Sequence, residues 1–432
     1  MVNLFAQRTV RTTSLLLLTL GVLVACAGTL WKVSFGTSQY LATSSLVDDA
    51  GNTYVAGVLP DTLFLAKLNH SGEKIWEQNF DNTDGDEENI RGIDAPVLTQ
   101  GPDGSLYLAY RARAEASGFS PLVLKYSSEG ELMWSYRSND LGWLTDIAIA
   151  DDGQVYASGW YFGDGDGSLD SQTGLISLSS DGGLLWESAD EEVFYADSRL
   201  QKNQNGSGVF IVASDLNEDS NWHLIHKDFA GNTLWRLQPF ADYFHAFLLD
   251  INQDSEGNVY ASGYVNNEGL SQWRLAVAKY DQLGNLLWRF VETTDIDVTS
   301  ARLAYTIRTA FNAEDQLSIL DFRGNVTHLS SIGVKLWREP VAEASSEWAM
   351  TSALAWGSDD RLYATVSTVD GPASNSEPMA SLTSIYGTEG ALVNSVLFPA
   401  EQLIQSTLVA KKTLVSVGNG GEGVVVTKLR VK

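Results

Sequence analysis

Hydrophobic and polar residues alternate along the chain in a pattern that recurs about every 50 residues. The first copy contains four short runs rich in Val, Leu and aromatic residues: Ala42–Val47, Thr53–Gly57, Leu63–Leu68 and Lys74–Phe80. Gly, Asp and Asn separate the runs, and these residues favour tight turns. Short apolar runs between turn residues predict four antiparallel strands in each copy.

Two landmarks define the copies. The first is a turn Gly placed four residues before a Trp, and it occurs at Gly72/Trp76, Gly130/Trp134, Gly182/Trp186, Gly231/Trp235, Gly284/Trp288 and Gly333/Trp337. Trp31 is a shortened leading copy, and the copy at Gly390 has Asn394 in place of the Trp. The second landmark is a turn followed by a strand, centred on Tyr54, Tyr107, Tyr156, Phe210, Tyr260, Ser318, Tyr363 and Val415. One Trp per copy at a constant phase is typical of a residue that packs neighbouring units together.

Eight copies of a four-stranded unit predict an all-β fold, an eight-bladed β-propeller. The chain has a single strand before the first complete unit, Leu30–Phe35, and only three strands after the seventh, ending with Val424–Lys432. Pairing these two segments would complete the eighth blade and remove the exposed edges that an open array leaves.

The repeats resemble the bacterial propeller repeats called SBBP repeats, and more distantly the quinoprotein-type repeats that carry a Trp on the outer strand. The matching residues are the Gly51–Gly57 segment, the Gly257–Tyr260 segment with Gly263, and the Gly-x-x-x-Trp copies. The chain is also similar in general plan to the propeller lipoprotein of the outer-membrane β-barrel assembly machine. That resemblance implies an assembly scaffold, whereas the fold alone does not define a function.

The N-terminal segment is typical of a bacterial lipoprotein. Arg8 and Arg11 precede an apolar run, Leu15–Ala25, which is long enough for a signal peptide and short for a membrane span. The run ends at Cys26, the only cysteine, in a Leu-Val-Ala-Cys sequence that resembles a lipobox. We predict that residues 1–25 are a signal peptide, that Cys26 is acylated within a tether of residues 26–29, and that residues 30–432 form one propeller domain.

The net charge of the chain limits the classes of partner that it is expected to bind. The chain has 28 Lys and Arg against 54 Asp and Glu, a formal net charge of −26, and this argues against nucleic acid as a partner. The predicted location is the bacterial cell envelope, with a lipid anchor as the only membrane attachment, on the outer membrane and facing the periplasm or the cell surface. We predict a monomeric propeller.

The connections predicted between strands fall into two sets. First-to-second and third-to-fourth turns are short and uniform, whereas second-to-third loops and the links between blades are long and variable, and many carry acids and aromatics. Variable loops on a rigid scaffold are typical of a binding face. The residues predicted for this face are Asp84, Asp86, Glu87, Glu88, Trp143, Trp160, Tyr161, Tyr195, Tyr243 and Trp348. The partner would be an envelope protein or a glycan.

An alternative function is a glycan- or ester-active hydrolase that uses loop carboxylates. Acids converging on the propeller axis with shifted pKa values would favour that enzyme, and a broad open face would favour binding. The sequence contains no nucleophile motif or triad that identifies a catalytic residue. We expect no cofactor, with one candidate exception: Asp164, Asp166 and Asp170 lie in a Gly-rich loop whose oxygens suit calcium.

Overall fold

A computed structural model describes residues 28–59, 62–81, 96–112, 120–138, 141–161, 172–194, 198–206, 208–214, 222–267, 272–293, 296–297, 307–341, 349–369, 378–399, 402–410, 413–421 and 423–431. These residues form eight antiparallel sheets, each with a path of four strands. The described part of the chain contains no helix. The predicted all-β class is confirmed.

The first and second strands of the blades succeed one another along the chain from blade 1 to blade 8. The first strands are β2 (Leu41–Val47), β6 (Val97–Gln100), β10 (Leu141–Ile149), β14 (Ser198–Lys202), β18 (His245–Gln253), β23 (Arg308–Phe311), β27 (Ala349–Trp356) and β31 (Gln402–Ala410). The second strands are β3 (Thr53–Leu59), β7 (Leu106–Ala112), β11 (Val155–Tyr161), β15 (Val209–Ser214), β19 (Val259–Asn266), β24 (Leu317–Leu320), β28 (Leu362–Val369) and β32 (Thr413–Gly420).

The third and fourth strands follow in the same order of blades. The third strands are β4 (Thr62–Leu68), β8 (Ser120–Tyr126), β12 (Gln172–Leu178), β16 (Trp222–Lys227), β20 (Gln272–Tyr280), β25 (Asn325–Leu329), β29 (Pro378–Tyr386) and β33 (Gly423–Arg430). The fourth strands are β5 (Lys74–Asp81), β9 (Leu132–Arg137), β13 (Leu184–Phe194), β17 (Thr233–Leu237), β21 (Leu286–Val291), β26 (Lys335–Pro340), β30 (Leu392–Pro399) and β1 (Gly28–Phe35). A two-residue strand, β22 (Ile296–Asp297), pairs with β20 in blade 5.

The eight blades close into a ring. Each first strand contacts the first strand of the next blade, and β31 of blade 8 contacts β2 of blade 1, so the first strands surround the axis and the fourth strands form the rim. Blade 8 is completed from both ends of the described chain, because β1 pairs with β33 in the order β1-β33-β32-β31. The predicted closure is therefore confirmed, and neither outer edge is left unpaired at the joint.

Strand direction separates two faces of the ring. The short-turn face carries the first-to-second and third-to-fourth turns. Most of the described ones repeat one five-residue geometry with a paired backbone hydrogen bond, as in Asn69–Glu73 and Asp281–Asn285, and the Asn203–Gly208 turn is one residue longer. The long-connection face carries the second-to-third loops and the links between blades. Blade 6 departs from this pattern, because β24 and β25 are joined by a tight turn at residues 321–324.

Blades are held together by a Trp that docks on its neighbour. In blade 2, the indole of Trp134 lies 2.7 Å from the position that a Cβ on Gly182 of blade 3 would occupy, so only glycine fits there. Gly182 also has a φ of +88°, which a side chain disfavours. Trp134 Nε1 donates to the Ser180 carbonyl in the same turn at 3.0 Å. Trp31, Trp186, Trp235, Trp288 and Trp337 donate equivalent bonds at 2.8 to 3.1 Å.

The missing Trp at Asn394 has a structural explanation. Each docking Trp requires a third-to-fourth turn in the following blade. Blade 7 is followed by blade 8, whose third and fourth strands, β33 and β1, come from opposite ends of the described chain and share no turn. Position 394 has no turn glycine to stack upon, so the Trp has no docking partner there.

A buried ion network joins blades 5 and 6. Glu292, which follows β21, accepts hydrogen bonds from Lys335 Nζ at 2.8 and 3.1 Å and lies 3.2 Å from Arg338 Nη1. Arg338 Nη2 also donates to Asp321 at 2.9 Å, and both carboxylates are buried. Burial alone would raise the pKa of Glu292, but the bonds from Lys335 and the Thr293 amide, with the charge of Arg338, lower it to about 2.

We predict that Glu292 contributes acid-sensitive stability. Because its pKa is lower in the folded state, the contribution is complete above its ordinary pKa of 4.5 and is lost as the pH falls toward 2. The full contribution is about 3 kcal/mol. Urea unfolding of the wild type and Glu292→Gln should show the widest gap at pH 7 and a narrower gap at pH 3. Asp151→Asn, in an exposed pair with Lys202, should show only a small difference at either pH; a Glu292→Gln gap that is independent of pH would contradict the prediction.

Candidate functional site

One position on the first strand, repeated in all eight blades, forms a belt around the axis. Each belt residue pairs with the second-strand residue two positions after the landmark aromatic or its replacement. In order from blade 1 to blade 8 the belt residues are Ser44, Val97, Asp146, Arg199, Asp250, Arg308, Ala353 and Gln405. Blades 3 to 6 therefore carry alternating acids and bases, whereas the other four blades carry uncharged side chains. Charged belt residues therefore lie on only one side of the axis, that of blades 3 to 6.

The two belt acids are engaged by backbone amides. Asp146 accepts the Ile147 amide at 2.9 Å and the Leu200 amide of blade 4 at 2.8 Å. Asp250 accepts the Ile251 amide at 3.0 Å, and its second oxygen accepts the Thr309 hydroxyl of blade 6 at 2.6 Å. Burial raises the pKa of both carboxyls, and these hydrogen bonds and the nearby arginines oppose the rise.

Ser44 shows that this bond between blades does not require a carboxylate. Its hydroxyl accepts the Leu98 amide of blade 2 at 3.2 Å, from the same belt position. A serine makes in blade 1 the contact that aspartates make in blades 3 and 5. The belt acids thus serve to join first strands, a structural role that uses both oxygens of each carboxylate.

The two belt arginines have equivalent contacts. Arg199 Nη1 donates to the Ser198 carbonyl at 3.1 Å, and Arg308 Nη1 donates to the Ile307 carbonyl at 3.0 Å. Neither guanidinium has a carboxylate within 4.0 Å among the residues that the structure describes. Partial desolvation within the axial channel lowers the pKa of Arg308, the charge of Arg199 lowers it further, and Asp250 partly offsets both. The remaining guanidinium N–H groups could bind a carbonyl or an anionic group that enters the axis.

The sequence did not single out Arg199 and Arg308. Their position in the repeat is the signal that identifies them. Arg199 in blade 4 and Arg308 in blade 6 occupy the same repeat position as Asp146 in blade 3 and Asp250 in blade 5. Aligning the copies on the landmark aromatics would have found them, whereas searching for motifs along the chain does not.

Four of the predicted binding-face residues lie in the described part of the chain, at the long-connection ends of strands or in a link between strands. Trp143 and Trp160 are register partners in β10 and β11, and Tyr161 ends β11. Tyr243 is half-buried in the link between β17 and β18, with its ring 6.1 Å from that of Phe240. The remaining predicted face residues, Asp84, Asp86, Glu87, Glu88, Tyr195 and Trp348, lie outside the described residues.

The link between β17 and β18 is the best-defined part of this face. Arg289 Nη2 donates to Asp242 at 3.2 Å and Nη1 to the Pro239 carbonyl at 3.2 Å, which holds the link against the rim of blade 5. The guanidinium also lies 5.7 Å from the Phe240 ring centroid. Phe244, at the end of the link, is 62% exposed. An exposed aromatic on an anchored loop is a typical contact residue.

Two other predictions concern metals and membrane spans. The candidate calcium ligands Asp164, Asp166 and Asp170 lie outside the described residues, and the described ranges contain no group of three or more metal-binding side chains. Within those same ranges, no helix has the length and apolar character needed to cross a membrane.

Comparison with known proteins supports the fold. No family model and no curated protein matches the chain. The solved structure of BamB from Moraxella catarrhalis aligns with 94% of this chain and 98% of its own, with a TM-score of 0.53 and 13% identity. An inactive virginiamycin B lyase from Staphylococcus aureus, solved with quinupristin, aligns with 93% of this chain and 99% of its own, at a TM-score of 0.47 and 10% identity.

The class of the protein follows from these observations. It is an eight-bladed, closed β-propeller with four-stranded blades. In particular, it shares the fold of BamB, a propeller lipoprotein, and the predicted similarity to that protein is confirmed at the level of fold. An identity of 13% carries the comparison no further than the fold.

Proposed function

We propose that the protein is a lipid-tethered scaffold of the bacterial envelope that binds an envelope protein through its long-connection face. It acts without catalysis, as a monomer held to the outer membrane by acylated Cys26. The chain shares its fold with BamB, a propeller lipoprotein, and the proposed class of function is consistent with that fold. The observation that carries the proposal is the direction of the strands.

Strand direction relates the predicted tether to the proposed binding face. Gly28 begins β1 and pairs with Arg430 at the end of β33, which places it at the short-turn face. Only Ala27 stands between Gly28 and Cys26, a reach of about 7 Å in extended chain. A tether at that face leaves the long connections directed away from the membrane, where a partner can reach them.

Charge favours a protein over a glycan as the partner. Acidic side chains attract basic protein surfaces, and they repel the phosphate and carboxylate groups of charged glycans. Asp146 and Asp250 lie at the axis with raised pKa values, as the hydrolase alternative requires, but backbone amides bond to their oxygens, and this favours a structural role. A general acid or nucleophile needs an oxygen that can reach the substrate.

Charge reversal tests the face. We expect that replacing Asp84, Asp86, Glu87 and Glu88 by Lys weakens capture of partners crosslinked in the envelope, with little change in melting temperature. These residues stand between β5 and β6 in the sequence, and the proposal assigns them to the long-connection face on that ground. Wild-type capture should also weaken as salt rises, because exposed charges are screened over about 10 Å at roughly 0.1 M ionic strength.

The matched control reverses four exposed acids on the short-turn face, Glu73, Glu129, Glu131 and Glu389. Capture should remain intact in that variant. An equal loss of capture in both variants would mean that the acids act through overall charge, and it would remove the support for a dedicated face.

A further inference from the structure

A ring of apolar residues runs around the rim at the short-turn face. In every blade the fourth strand begins with a β-bulge, and the bulged residue immediately precedes the docking Trp or its replacement. All eight bulged residues are aliphatic or Met, and all are between 44% and 54% exposed: Leu30, Ile75, Met133, Leu185, Leu234, Leu287, Leu336 and Val393. Because an exposed apolar residue occurs at this bulge in all eight blades, we attribute it to the geometry of the fold.

Two neighbouring blades extend this ring to the tips of the turns. Leu283 on blade 5 is 79% exposed and Ile332 on blade 6 is 72% exposed. Trp288 docks on Gly333, so the fourth strand of blade 5 lies against the turn that carries Ile332. Leu286 and Val334, at the same two turns, are also exposed, and we call these four side chains the tip patch. Soluble surfaces rarely expose so many aliphatic side chains together.

The tip patch shares its repeat register with the predicted lipid anchor. Leu283 and Ile332 each stand five residues before the docking Trp of their blade, Trp288 and Trp337. Cys26 stands five residues before Trp31, the docking Trp of blade 8. Counted along the repeat, the acylated residue therefore corresponds to the tip position, three blades from Leu283 and two from Ile332.

We propose that the short-turn face lies on the bilayer, with Leu283 and Ile332 inserted among the lipid headgroups as a second contact beside the acyl chains. This inference rests on the proposed lipid anchor. Two contacts on separate blades hold the propeller in one orientation, whereas an anchor alone leaves it free to tilt. The tip patch would bind a bilayer only weakly by itself, and the anchor makes this contact effective because it supplies a high local concentration of membrane.

The net negative charge of the protein explains why the proposed membrane contact is apolar. A protein with a formal net charge of −26 is repelled by anionic headgroups, so basic residues do not provide the attraction here. The same tip position carries the acids Glu129 on blade 2, Asp181 on blade 3 and Glu389 on blade 7, whereas Leu283 and Ile332 give blades 5 and 6 large aliphatic tips. Blades 5 and 6 are therefore expected to lie deeper than blades 2 and 3.

A fluorescence experiment on the acylated full chain tests this orientation. Acylation uses the only native thiol, so Ala230→Cys, at the exposed tip position of blade 4, provides a unique labelling site. The protein is placed in nanodiscs of phosphatidylethanolamine and phosphatidylglycerol with nitroxide-labelled headgroups. We expect strong quenching of a dye at this site, and little quenching of the same dye at Ala241→Cys on the opposite face. Adding Leu283→Ser and Ile332→Ser should reduce the quenching at position 230.

The control and the opposing outcomes are distinct. Phe244→Ser with Leu397→Ser removes two exposed apolar residues away from the tip patch and should leave quenching at position 230 unchanged. Unquenched dye at position 230 in nanodisc-bound protein would overturn the inference and leave the anchor intact. Failure of the chain to enter nanodiscs would refute the anchor itself. Crosslinks between two copies through position 283 would assign the tip patch to self-association and overturn membrane contact.

Discussion

Replacing Lys279 by alanine is expected to destabilise the propeller by about 3–5 kcal/mol, because it leaves a buried carboxylate without its counter-ion. Lys279 lies in β20 and is only 7% exposed. Its ammonium is 2.8 Å from Asp254, which is also buried, and 4.9 Å from the Tyr260 ring centroid. It also donates to the Ser331 carbonyl of blade 6 at 3.4 Å, the same atom that Trp288 Nε1 bonds.

The matched control is Lys202→Ala. Lys202 pairs with Asp151 across a solvent-exposed gap between blades, and exposed pairs contribute about 0–1 kcal/mol. Chemical unfolding followed by tryptophan fluorescence gives both free energies. The double variant Lys279→Met with Asp254→Asn should recover part of the loss, since it removes both charges together. A loss below about 1 kcal/mol for Lys279→Ala would show that Asp254 is satisfied by its amide donors alone.

The same lysine position recurs with the same geometry in other blades. Lys67, Lys125 and Lys428 also stand opposite the docking Trp and donate to a turn carbonyl of the following blade at 2.9 to 3.3 Å. In blade 4 the position is His226, whose pKa burial lowers to about 4, so a neutral ring replaces the ammonium. Breaking one such contact weakens one of the eight interfaces between blades. The loss in free energy of unfolding is then that of a closed ring whose other interfaces are intact.

The fold was predictable because its signals are local. A turn glycine with positive φ, an alternation of buried and exposed residues, and a Trp at fixed phase each depend on a few neighbouring residues. The strands of blade 1 agree with the predicted runs to within two residues at each end. Closure was predictable by counting, since an orphan strand and a three-stranded remainder fit one another.

The candidate site depends on contacts between residues that are far apart in the sequence, and no local sequence pattern predicts such contacts. Asp146 and Leu200 are 54 positions apart and meet only because two first strands lie side by side around the axis. Arg199 and Arg308 lie at the same level of the belt because they occupy the same register position in their separate sheets. The tip patch was also missed, because Leu283 and Ile332 read as ordinary turn residues until their exposure is known.

Deleting Gly28–Phe35 is expected to cause the second large effect, a loss of more than about 4 kcal/mol or aggregation. The deletion removes buried Phe35, which packs edge-to-face on Phe64 of blade 1 with ring centroids 6.3 Å apart. It also removes the Trp31 indole that covers Gly72. The backbone groups of β33 that pair with β1 would then face solvent along its whole length.

A peptide of residues 28–35 added in trans distinguishes loss of this strand from general damage. Its backbone can pair with the exposed edge of β33, so it should raise the melting temperature of the deletion variant and suppress aggregation. A scrambled peptide of the same composition should do neither, since Val33 and Phe35 would no longer face blade 1. The variant Trp31→Ala, which keeps the strand, should lose less stability than the deletion and should not aggregate. If the deletion variant unfolded at the wild-type temperature without the peptide, β1 would be dispensable and the ring would be closed by the remaining three strands of blade 8.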